Sequence, residues 1–163
     1  MRKRKAPASA SVPEPGQGKR GKEGYLGYLL RQAANAYRTR QERVLHDLGI
    51  TPPQFSVLTM ISAYPGISNA DIARLALLTP QTVSLIVANL KKADLVSRRP
   101  HAGHGRIHLL ELTASGKTVL SKSRKRIHDL EKDLLINISE QEEQTIRHWL
   151  SDVAVSMTDN QHG

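Results

Sequence analysis

The chain has 163 residues, a formal charge of +9, a pI near 10.1 and no cysteine. That length suits one core-bearing domain with extensions and is too short for two independent enzyme domains. Lack of cysteine excludes disulfides, thiolate zinc sites, iron-sulfur clusters and thiol switches. A basic balance fits a polyanionic partner, either nucleic acid or an anionic membrane surface. With no apolar run of transmembrane length and no signal core after the basic start, a soluble, cytoplasmic protein without a membrane partner is expected.

Residues 1–23 hold seven Lys/Arg against two Glu, which leaves +4 for the rest. Arg2, Lys3, Arg4 and Lys5 are followed by a Pro/Ala/Ser/Gly stretch without apolar periodicity, so residues 1–23 are expected to be a disordered basic tail. Gly16, Gly18 and Gly21 follow no strand and read as linker glycines. From Gly24 to about Asp47, Leu26, Leu29, Leu30, Ala33, Ala34, Tyr37, Val44 and Leu45 largely keep helical spacing. Leu48-Gly49-Ile50 ends that helix. Thr51 then caps a second one with Pro52 at its first position; Phe55, Leu58 and Ile61 form its apolar stripe and Pro65-Gly66 closes it.

Ser68 stands three residues before Asp71, a capping pattern that opens a short helix through Ile72, Leu75 and Ala76. After Leu77-Leu78, Thr79-Pro80 repeats the cap-then-proline start. Val83, Ile86, Val87 and Leu90 bury one face of the helix that follows, and Gln81, Thr82, Ser84, Leu85, Ala88 and Asn89 lie on the other. Leu95 to Arg99 reads as a strand, Pro100 to Gly105 as a loop and Arg106 to Leu112 as the returning strand, with Leu110 and Leu112 facing inward alongside His108. Thr113 caps a long helix to about Ile136 through Val119, Leu120, Ile127, Leu130 and Leu134. Ser139-Glu140-Gln141-Glu142 is a full capping box before a last helix with Ile146, Trp149, Leu150 and Val153.

Two short helices with a tight join and a basic, glycine-containing hairpin are the element order of a winged helix-turn-helix, which sets one helix in a DNA groove. Gln81 can pair with an adenine edge, Thr82 and Ser84 can contact bases or phosphates, and Leu85 can meet a thymine methyl. Ser68, Asn69, Thr79 and Asn89, with Arg98 and Arg99 of the hairpin, are candidates for the DNA backbone and the helix starts. Arg106, at the hairpin tip with His104, suits a narrow minor groove. Lys91 and Lys92 complement the negative end of the recognition helix. His101, His104 and His108 are not spaced to aim their rings at one point, so no metal is expected. No nucleophile elbow, phosphate-binding glycine loop or dinucleotide fingerprint occurs, so neither catalysis nor a cofactor is expected.

From about Gly24 to Val155 the chain resembles the multiple-antibiotic-resistance regulator (MarR) family. The resemblance is carried by Thr51-Pro52-Pro53-Gln54-Phe55, the Ser68 to Leu90 helix-turn-helix, Leu95-Val96-Ser97-Arg98-Arg99 and Leu112-Thr113-Ala114-Ser115-Gly116. It implies a mainly α fold with a small β-hairpin wing: a winged helix-turn-helix over residues 51–113, with its wing at 96–112, inside a domain of residues 24–157. Dimerisation helices over 24–48 and 114–157 would flank it, and residues 158–163 would be a flexible end. It further implies a homodimer on a pseudo-palindromic double-stranded operator, acting as a repressor that a small aromatic or lipophilic inducer releases. One departure stands out: the family's wing usually has Asp-x-Arg, whereas here it is His104-Gly105-Arg106. A neutral His104 can accept a hydrogen bond from Arg106 and a protonated one repels it, which points to pH-sensitive DNA affinity. Tyr37, Met60 and Tyr64 read equally well as core or pocket, so the ligand site stays open. A basic-tail DNA-coating protein and a winged-helix protein-interaction module are the alternatives.

Overall fold

A computed structural model describes residues 12–101 and 104–159, without the side chains of 100, 101, 104–108, 158 and 159. The chain divides into two compact units, residues 1–40 and 41–163, with the boundary inside its first helix. That helix, α1, spans Leu26–Leu45 and is followed by a 3-10 turn, His46–Leu48. Gly49 ends the turn at φ 68°, a left-handed angle that glycine adopts at no steric cost.

In the first unit, residues 1–11 of the expected disordered tail lie outside the described residues, and the rest of it leads into α1. Gly18–Arg20 is a 3-10 turn, and the Gln32 side-chain amide donates to the Arg20 carbonyl over 3.0 Å. The glycines that read as linker positions make this turn possible, since Gly16 and Gly18 have φ of 90° and 46°.

The second unit is built around α2, Pro52–Ala63. Its start is stronger than a single cap: Gln54 N–H donates to Thr51 Oγ1 while the Gln54 side chain accepts from Thr51 N–H over 2.9 Å. Pro52, Val57, Leu58 and Ile61 are buried, whereas Phe55, expected on the buried stripe, is only half-buried. The reason is that α2 is covered on several sides, by α3 (Asn69–Leu75), α4 (Pro80–Lys92), the hairpin and α5 (Ala114–Leu134). Its buried arc is therefore wider than one helical stripe. Ile72, Ala73, Val83, Val87 and Leu90 complete the core of the helix pair. Leu75, counted as apolar face, is instead largely exposed.

The hairpin consists of β1, Val96–His101, and β2, His104–Leu112, paired antiparallel with Val96 opposite Leu112 and a register shift at Pro100/His101. The expected loop of six residues is thus corrected: positions 100, 101, 104 and 105 belong to strands. Pro100 signals a loop in the sequence, but proline at an edge-strand position costs no ladder bond and is compatible with a hairpin. Leu110 is buried and Leu112 half-buried, on α2 and α5.

Thr113 caps α5, its hydroxyl accepting from Gly116 N–H over 2.9 Å and donating to the Asp94 carbonyl over 2.6 Å. Leu120, Ser123, Ile127 and Leu130 are buried along it, but Leu134 is not. The last helix, α6, spans Glu140–Asp159, and its capping box forms as the sequence predicts, with Ser139 N–H donating to Glu142 Oε2 over 2.8 Å. Ile146, Trp149 and Leu150 remain exposed on it. Among the described residues, no single helix is long and apolar enough to cross a membrane.

Candidate nucleic-acid interface

The axes of α3 and α4 are bent 110° to one another, within the range of helix-turn-helix pairs. Two hydrogen bonds fix the turn: Ala76 N–H to the Ile72 carbonyl and Leu78 N–H to the Ala73 carbonyl, over 2.8 and 2.9 Å. Leu77 between them has φ 55° and is 91% exposed. In the sequence it is marked only as part of a turn. A leucine in the left-handed region at a C-terminal helix cap is unusual, because that position favours glycine.

On α4, Val83, Ile86, Val87 and Leu90 are buried, and this anchors the helix so that Gln81, Thr82, Ser84, Leu85, Ala88 and Asn89 all lie on its exposed side. Leu85 is 64% exposed. The N-cap is Thr79, whose Oγ1 accepts from Thr82 N–H over 3.2 Å and lies 2.8 Å from Thr82 Oγ1. Thr82 thus shares its hydroxyl with the cap, while Gln81 and Ser84 flank it. Short polar side chains at an exposed helix start, where the helix dipole adds partial positive charge, can approach a phosphate or a base edge closely.

At the start of α3, Ser68 Oγ accepts from Asp71 N–H over 3.1 Å and donates to Asp71 Oδ2 over 2.6 Å. Arg74 pairs with the same carboxylate. The Ser68 hydrogen bond, then that of Arg74, holds the Asp71 carboxyl below its ordinary range. Ser68 is therefore engaged within its own helix, and Asn69 beside it is half-buried. This Ser68-Asp71-Arg74 cluster went beyond the capping pattern read from sequence, although the i, i+3 spacing of Asp71 and Arg74 is its visible signal.

In the hairpin, Arg98 and Arg99 are both exposed, and they differ in their partners. Arg99 Nε donates to Glu111 Oε1 across the strands over 2.9 Å. Among the described residues Arg98 has no such ion pair. The backbone of His104 and Arg106 lies in β2, but their side chains are outside the described residues, as is the arrangement that would link them. Lys91 and Lys92 are exposed in the last turn of α4.

The family model described as MarR family matches residues 48–107, which contain α2 to the middle of the hairpin. The HTH-type transcriptional repressor Rv2887 of Mycobacterium tuberculosis is 30% identical over 125 residues, covering 77% of this chain and 90% of its own. The transcriptional regulator HosA of Escherichia coli is 29% identical over 117 residues, 72% of this chain and 85% of its own. Among solved structures, that of the M. tuberculosis MarR family protein Rv2887 in complex with salicylic acid has a TM-score of 0.66 at 28% identity, covering 81% of this chain and 98% of that one. Its complex with DNA has a TM-score of 0.64 at 27% identity, covering 80% and 98%. A winged helix-turn-helix with this hairpin, and near-complete coverage of relatives named as transcriptional repressors and regulators, lead to one assignment: the chain belongs to the MarR family of transcriptional regulators.

Proposed function

We propose that this protein is a dimeric, sequence-specific DNA-binding repressor released by a small aromatic acid. The observation that carries the DNA reading is the helix α4, clamped on one face by four core residues and presenting Gln81, Thr82, Ser84, Leu85 and Asn89 on the other. In this reading the first four meet base edges, Arg106 with His104 enters the minor groove, and Arg98 and Arg99 meet phosphates. Ser68, Asn69, Thr79 and Asn89 support the helix starts at the backbone. A relative at 27% identity has been crystallised with DNA, which supports the same assignment.

Dimerisation through residues 24–48 and 114–157 is supported by the apolar side chains left exposed on these helices, among them Leu26, Leu134, Ile146 and Trp149. Exposed apolar groups at helical spacing are unfavourable in a monomer and favourable against a symmetric copy. Ligand release is supported by the relative's salicylic acid complex. It is also supported by Thr59 of α2, whose hydroxyl is enclosed without a hydrogen-bond partner among the described residues. One turn on, Ser62 accepts from Arg124 of α5 over 3.3 Å, so a polar contact joins α2 to α5.

The test is selection of duplexes from a random library by the full-length protein, followed by titration of the selected duplex against scrambled competitor. Specific reading predicts a preference on the order of 10³ or more at physiological salt, a symmetric site and release by salicylate. Equal affinity for both duplexes, falling when residues 1–23 are removed, would establish the basic tail as the driver instead. Negligible affinity for either would favour a protein-interaction module.

A further inference from the structure

Ala93, Asp94 and Leu95 join the end of α4 to the first residue of β1, and they set the angle between the helix that carries Gln81 and the hairpin that carries Arg98 and Arg99. Their N–H groups turn back onto α4. Ala93 donates to the Asn89 carbonyl, Asp94 to that of Lys91 and Leu95 to that of Leu90, over 3.0, 3.0 and 2.9 Å. Asp94 stands at φ 55°, the left-handed angle that a helix ending of this kind requires. The carbonyls of Asp94 and Leu95 both go to Thr113: its hydroxyl donates to Asp94 over 2.6 Å and its N–H to Leu95 over 3.2 Å.

Thr113 is also the first residue after β2, whose last residue Leu112 lies opposite Val96, the first of β1. Leu95 and Val96 are buried, which anchors the joint from the core side. The Thr113 hydroxyl accepts from Gly116 N–H over 2.9 Å, so it gives its proton to the joint and its lone pair to α5. Capping α5 needs only the acceptor. The donation to Asp94 serves a different end, because it holds the joint between α4 and the hairpin. A reader that sets a helix in one groove and a hairpin tip in the next gains from an angle fixed before DNA arrives, since that freedom is then not lost on binding.

We propose that Thr113 is a positioning residue for DNA recognition, its hydroxyl bond to the Asp94 carbonyl fixing the hairpin against α4 so that both engage one duplex together. This role rests on the DNA reading above, so one arm of the test is free of DNA. Residual dipolar couplings of the isotope-labelled full-length protein in a stretched gel report how α4 and the hairpin are oriented. One alignment tensor should fit the amides of both in the parent and in Thr113→Ser, which keeps the hydroxyl. Thr113→Asp keeps an acceptor for Gly116 N–H but has no proton for the Asp94 carbonyl, and the two elements should then need separate tensors. In the second arm, Thr113→Val should weaken binding to the selected duplex on the order of tenfold, and Thr113→Ser should bind as the parent does. Arg106→Ala should cost the parent more than it costs Thr113→Val, because a hairpin already released has less to lose; a purely structural role gives additive losses. A shared tensor in Thr113→Asp would overturn the proposal, as would additive losses with a parent that binds the selected duplex. Separate tensors in Thr113→Asp with a parent that binds no duplex would refute the DNA reading and the positioning role with it.

Discussion

The α-carbon of Gly116 is pressed against the carbonyl of Leu95, so closely that a Cβ there would stand 1.9 Å from the oxygen. The same oxygen accepts from Thr113 N–H over 3.2 Å, which locks the first turn of α5 to the entry of the hairpin. The obstacle is backbone and cannot rotate away. Gly116→Ala therefore forces α5 off the base of the hairpin and should destabilise the fold by about 1–3 kcal/mol, although alanine is the better helix former. Urea denaturation should show a lower midpoint with an unchanged slope.

Leu77 predicts the opposite sign. Its φ of 55° costs a leucine roughly 1–2 kcal/mol, and at 91% exposure it recovers nothing by packing in the isolated chain. Leu77→Gly should then raise stability by about 0.5–1 kcal/mol, the strain relieved being partly offset by the greater freedom of unfolded glycine. A lower urea midpoint would show that this turn is not strained.

Arg126 of α5 donates from Nη1 to the Val44 carbonyl over 2.8 Å and lies 3.3 Å from Asp47 Oδ2. It thereby satisfies a carbonyl at the end of α1 that has no successor in the helix. Since the carbonyl bond is to a charged donor and partly buried, Arg126→Ala should cost about 1–2 kcal/mol, whereas Asp47→Ala, at an exposed pair, should cost less than about 1 kcal/mol. A thermal melt of both variants and of the double mutant separates the two contributions.

Much of the second unit was legible because its signals are local. Thr51, Ser68, Thr79, Thr113 and Ser139 each announce a helix start, and each makes the cap expected of it. The exposed face of α4 followed from the spacing of its four buried partners. What failed were features set by tertiary contact. Phe55 yields burial to Val57 because α2 is covered on several sides, and Gly116 looks like a poor helix residue until Leu95 is brought against it. The glycines at 16, 18 and 21 read as linker because periodicity carries no information about a 3-10 turn held by hydrogen bonds. Arg98 and Arg99 are indistinguishable as adjacent cations, and only the strand register sets Glu111 beside one of them.

The Asp71 carboxyl carries a pH dependence with a definite sign. Its folded pKa is lowered, first by the Ser68 hydrogen bond and then by Arg74, so the stabilisation it gives is present above its unfolded pKa. That contribution is lost as pH falls through the folded pKa, in the acid range below ordinary aspartate titration. An NMR titration should find Asp71 below the other exposed aspartates, and Ser68→Ala should move it upward. The same midpoint in parent and variant would mean that the Ser68 bond is absent in solution.

The two hairpin arginines should separate in a salt titration. Arg98 has no ion-pair partner among the described residues, so a phosphate contact would release a counterion at little internal cost; Arg99 must first give up Glu111. Arg98→Ala should therefore weaken binding to every duplex alike and lower the salt slope by about 1, with a smaller change for Arg99→Ala. Glu111→Gln frees Arg99 and should tighten binding to any sequence while steepening the slope. Gln81→Ala should behave differently from all three, costing about 1–3 kcal/mol on the selected duplex and relaxing the preference at a single position. Equal slopes for the parent and the Arg98 and Glu111 variants would remove the hairpin base from the DNA contact and leave recognition to α4 and the hairpin tip.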